Sequence, residues 1–220
     1  MPETGPDRLG ATLQRGVPRP EGNPVPHSSS TGREMAQIAT FAGIIAVLGL
    51  IPAIAPFGGA VPITAQSLGV MLCGAILGGR RGGLAVLVFL ALVALGLPLL
   101  AGGRGGLGVF ASPTVGYLVG FPIAALVVGS LTRAAGRPYR VPTGIAINLL
   151  GGVLLLNLIG IAGMVLRADL TVSAATVAAL PFVPGDVLKA VICAVVARGV
   201  HAAYPGLLPT RRRERVDALV

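Results

Sequence analysis

The sequence predicts an all-α polytopic membrane protein of six transmembrane helices, with both termini in the cytoplasm. Three observations predict it. Of the 220 residues, 54% are hydrophobic and only 11% are charged, whereas a soluble domain carries roughly 25% charged residues. The apolar residues fall into separated runs, most of them near the ~20 residues that cross a hydrocarbon core about 30 Å thick. The basic residues lie between alternate runs, as cytoplasmic loops do.

Residues 1–33 are rich in Pro, Gly, Ser and Arg and show no apolar period, so they read as a disordered cytoplasmic tail. They do not read as a secretory signal, because the first apolar run starts too late. That run spans about 35–53, MAQIATFAGIIAVLGLIPA. The second covers about 62–79 and stops at Arg80-Arg81, and the third covers about 82–98. A Gly-rich stretch interrupted by Arg104 follows, and the fourth run occupies about 114–131. The fifth covers about 142–166. In the last apolar region Pro181, Pro184 and Gly185 separate a short lead-in from a sixth helix at about 185–204. The membrane domain is thus 34–204, and 205–220 reads as a basic cytoplasmic tail.

The net charge of +9 fits topology better than nucleic-acid binding. With the N-terminus inside, the N-terminal tail, Arg80-Arg81, the 133–140 loop and the C-terminal end hold 14 of the 17 Lys and Arg residues. Only Arg104, Arg167 and Lys189 fall elsewhere, which is the asymmetry expected of six crossings.

The outward-facing segments then hold the polar chemistry. Asp186 and Lys189 stand out, placed in the first turn of the sixth helix. Ionised groups in an apolar segment cost several kcal/mol unless paired or hydrated, and at i, i+3 the two share a helix face. They are either a structural ion pair or the charged wall of a cavity. Gln66, beside Thr64 at the mouth of the second helix, either bridges helices or meets a ligand. Tyr117 is an interfacial anchor or a ring stacked on a ligand, and Arg104 pairs with an anion or sits at the lipid surface. Asn148 and Asn157 read as helix bridges. The spacings Gly74-x-x-x-Gly78, Gly116-x-x-x-Gly120 and Ala42-x-x-x-Ala46 allow close helix approach. Cys73 and Cys193 read as buried apolar residues, and His27 and His201 have no ligand-like neighbours, so no metal site is expected. There is no nucleotide-binding loop or hydrolase motif; the chain reads as no enzyme, with no energy source of its own.

Three stretches carry a resemblance. VPITAQSLGVMLCGAILGGRRGGLAVLVFLALVALGLPLLAGG, GVFASPTVGYLVGFPIAALVVG and PFVPGDVLKAVICAVVA together resemble the BioY family, the biotin-binding S components of energy-coupling factor (ECF) transporters, across about 36–204. The resemblance implies the six-helix S-component fold in the bacterial plasma membrane. It also implies biotin as transported substrate, no resident cofactor, and as partners a transmembrane coupling protein and two cytoplasmic ATPases that alone use ATP. It places biotin binding on Asp186 and Lys189, with Thr64 and Gln66 from PIT-x-Q and Gly116 and Tyr117 from PT-x-GY; Arg104 is a further candidate. It places the coupling-protein docking motif on Ala42 and Ala46. The chain departs from the family's usual Gly-Pro-Thr-Gly-Gly-Tyr at Ser112 and Val115, and Arg104 interrupts a stretch expected to hold small residues. An S component for another vitamin, or a membrane scaffold without a small-molecule ligand, remain the alternatives.

Overall fold

The computed structural model describes residues 28–51 and 64–209. Most of the predicted N-terminal tail, the segment after the first run and the last residues of the C-terminal tail lie outside them. The described residues are mostly helical, and Leu100 and Arg104 form an isolated β-bridge. Helix α1 runs Ser28–Gly49 and α2 Gln66–Leu72, the latter continued by a π-helical turn, Cys73–Leu77. Next come α3 (Gly79–Ala94) and α4 (Val115–Ala135). Helix α5 (Val141–Asn148) passes through a π-helical stretch, Leu149–Leu155, into α6 (Leu156–Ala168), and α7 (Val172–Ala179) leads into α8 (Phe182–Ala203). Each predicted run thus has its helical rod, with α5 and α6 forming the fifth.

Two helices, Val115–Ala135 and Val141–Ala168, are each long and apolar enough to cross a membrane, and α7 with α8, bent by 51°, make a third candidate. The exterior is apolar: Leu84, Leu87 and Val88 on α3, Val119, Ile123 and Leu126 on α4, and Leu188, Ile192 and Val196 on α8 are exposed. The interior holds Gln66, Ser67, Thr132, Asn148, Asn157, Asp186 and His201. An apolar surface of this extent around a partly polar interior suits lipid, not water.

The boundaries shift in three places. The first helix starts at Ser28, inside the predicted tail; Glu34 in its second turn pairs with Arg81 of α3 and ties this end to the bundle. At the other end, Leu208 is buried and the Arg137 N–H donates to the Pro209 carbonyl, so the packed domain extends past 204. The last helix begins at Phe182 rather than 185, because Pro184 falls in its first turn, where no N–H is needed. Asp186 therefore sits beyond the first turn, and the helix dipole does less for it than the sequence suggests.

Small residues set the spacing between rods. α2 turns into α3 through Gly78 alone, at φ 83°. A side chain on Gly74 would strike the α4 backbone at Ala125 and Gly129, and one on Gly116 would strike α6 at Ile159 and Gly160. Both glycine spacings are therefore packing devices. Ala42, expected to dock the coupling protein, packs inside this chain. It is 2% exposed and belongs to the core with Ile45, Val70 and Phe89. Ala46 packs on the same cluster, whereas a side chain on Gly43 would meet nothing within 4 Å. Ala42→Leu is therefore expected to destabilise the fold by about 1–3 kcal/mol through overpacking, while Gly43→Leu leaves stability nearly unchanged. Thermal unfolding of the two purified variants checks this.

Candidate ligand-binding site

Three charged or hydroxylic side chains from two distant segments meet between α2 and α8. Lys189 Nζ donates to Asp186 Oδ1 at 2.8 Å, as the i, i+3 spacing predicts. Ser67 Oγ completes the cluster, accepting from Lys189 Nζ at 3.0 Å and donating to Asp186 Oδ1 at 3.2 Å. The Asp186 and Lys189 side chains are only 8% and 14% exposed, so each ion needs the other. Among the described residues Oδ1 takes both bonds, and Lys189 keeps a third N–H to give.

The cluster forms one wall of a cavity whose lining also includes Thr64, Gln66, Arg104, Thr114, Tyr117 and Phe182. Tyr117 lines the same cavity. Its hydroxyl donates to Asn157 Oδ1 at 3.2 Å, Asn157 Nδ2 donates in turn to the Val153 carbonyl at 2.9 Å, and its ring lies 6.2 Å from that of Phe182, tilted by 55°. Leu118, Phe121 and Leu156 add apolar surface. The space enclosed is about 70 Å³, below the roughly 300–1,000 Å³ of cavities that hold drug-sized ligands. A ligand of that size therefore enters only as wall side chains move outward.

Of the residues singled out from sequence, Thr64, Gln66, Arg104, Tyr117, Asp186 and Lys189 line this cavity. Gly116 does not: it is buried against α6 and brings Tyr117 close to that helix. Gln66 lines the cavity, but its amide is committed elsewhere. Nε2 donates to the Leu99 carbonyl at 3.0 Å and to Ile45 at 3.5 Å, and Oε1 accepts from the Ala101 N–H at 3.1 Å. Its work is to fasten the loop after α3. Arg104 is exposed, at the rim. Ser67 and Phe182 escaped the sequence reading. Ser67 directly follows Gln66 in the second run, but a lone serine in an apolar helix carries no signal until Asp186 is placed beside it.

The cavity stands apart from the basic end of the bundle. Arg33, Arg81 and Arg133 share a different cavity with Leu77 and Tyr204, and Arg137 and Arg198 a third with His201. Fold and site define a class: a helical membrane protein with a small charged cavity set apart from a cluster of arginines, Arg104 alone of the described arginines lining that cavity. The sequence profile of the BioY family matches residues 24–206, and the chain belongs to that family. It is 47% identical over 185 residues to the biotin transporter BioY of Rhizobium etli, covering 81% of this chain and 98% of that one. The Rhodobacter capsulatus biotin transporter BioY is 46% identical over 191 residues, with the same coverage of 81% and 98%. The fold superposes on the crystal structure of the S-component for biotin from an ECF-type ABC transporter with a TM-score of 0.73 at 28% identity, covering 80% of this chain and 94% of that one.

Proposed function

We propose that this chain is the biotin-specific S component of an ECF-type transporter in the bacterial plasma membrane. In this reading it crosses the bilayer six times with the arginine-rich end in the cytoplasm. The cavity then opens outward, captures biotin, and delivers it inward by reorientation of the domain. The energy comes from two cytoplasmic ATPases acting through a transmembrane coupling protein; the sequence carries no nucleotide-binding loop of its own.

The Ser67–Asp186–Lys189 cluster, in one cavity with Tyr117, carries the proposal. Biotin's ureido ring offers two N–H donors and a carbonyl acceptor, and the cluster supplies a carboxylate acceptor and an ammonium donor. Its sulfur-containing bicycle and aliphatic chain match the aromatic and leucine walls. The family membership and the likeness to a biotin S-component support the same ligand.

Isothermal titration of the purified protein with biotin, beside a panel of other vitamins, tests it. Tight binding of biotin alone is expected. Binding of a different vitamin in its place would reassign the ligand, and no binding by any of them would leave the ion pair as a purely structural feature.

A further inference from the structure

The charges around the cavity do not balance. The ionised residues among its described lining are Arg104, Asp186 and Lys189. Asp186 and Lys189 neutralise one another. Arg104 meets no carboxylate among the described residues: its Nε donates to the Ala101 carbonyl at 3.3 Å, which holds the side chain without discharging it. Residues 52–63 contain no acidic side chain that could do so. The cavity therefore carries one uncompensated positive charge, and that charge lies at its rim.

The loop carrying Arg104 is built to stay in place. Leu100 and Arg104 exchange two backbone bonds, of 2.9 and 3.2 Å, across a turn that needs positive φ at Gly102 and Gly103. The Gly106 N–H donates to the Val93 carbonyl at the end of α3, at 2.8 Å. Gln66 grips the loop from beneath through Leu99 and Ala101. A buried glutamine that spends its amide on a loop makes sense if the position of that loop matters.

We propose that Arg104 is a specificity-determining residue that reads the ligand's free carboxylate, and that Gln66 positions it. The inference rests on biotin being the ligand. The acid end of biotin then lies at the rim against the Arg104 guanidinium, with the ureido ring toward Ser67, Asp186 and Lys189, and the chain discriminates biotin from its neutral amides.

The test titrates the parent, Arg104→Gln and Arg104→Lys with biotin and with biotinamide, at low and high salt. The parent is expected to prefer biotin by about tenfold, the scale of a partly exposed charge-assisted hydrogen bond. The preference should shrink at high salt, because the arginine is exposed. Arg104→Gln should bind both ligands equally, near the parent's affinity for the amide, and Arg104→Lys should recover part of the preference. An unchanged preference in Arg104→Gln overturns the proposal, and so does equal weakening toward both ligands, which would give Arg104 a merely structural role. A parent that binds neither biotin nor biotinamide, but does bind another vitamin, removes the premise instead.

Discussion

Asp186→Asn is expected to weaken biotin binding at least thirtyfold, equivalent to about 2 kcal/mol, the lower end of what truncating one partner of a buried charged pair costs. Asparagine keeps the shape and can still accept from Lys189 and Ser67. It brings no negative charge, so the Lys189 ammonium, 14% exposed, loses its counter-ion. Its amide also presents N–H donors on the side where the carboxylate offered a second acceptor oxygen, and donors repel the ureido N–H groups. The folded state should lose stability as well, by as much as about 3–5 kcal/mol. A double variant separates the two effects. Asp186→Asn with Lys189→Met removes both charges and should regain most of the stability without regaining biotin. Titration calorimetry and thermal unfolding on the same preparations measure the two quantities. Binding like the parent's in both Asp186→Asn and Lys189→Ala would exclude the cluster from the ligand site.

The second large effect is expected at a residue that touches no ligand. A side chain on Gly163 would run into the backbone of Gly116, so α4 and α6 pack there with nothing between them. Backbone cannot rotate away as a side chain can, so Gly163→Val must push the helices apart. The expected cost is about 3 kcal/mol or more, at the upper end of overpacking penalties. Biotin binding should fall with it, because Tyr117 adjoins Gly116 and its hydroxyl is held by Asn157 on the same α6. Gly199→Val serves as the control, since a side chain there would meet nothing within 4 Å. Equal melting temperatures for the two variants would show that α4 and α6 leave room for a side chain at Gly163.

The sequence was most legible where one physical constraint dominates. Each apolar run became a helical rod, because a chain in lipid must satisfy its own backbone hydrogen bonds. Most of the described arginines gathered away from the cavity, Arg104 excepted, and the i, i+3 spacing alone placed Asp186 against Lys189. Glycine spacings announced close packing, and the partners of Gly74 and Gly116 bear that out. The π-helical stretches at Cys73–Leu77 and Leu149–Leu155 gave no such notice.

Sequence by itself thus determined the helices, their apolar exterior, the segregation of charge and the polar pair within a single helix. Tertiary structure alone decided which face of each helix looks inward and which distant residues meet. It sent Ala42 into the core, turned Gln66 toward the loop below Arg104, and set Ser67 between two ions more than a hundred positions away. In water, burial sorts apolar from polar residues around a helix, and the pattern can be read from the chain. In lipid both faces are apolar, so the inner face is fixed by packing and by the few polar groups that must find one another.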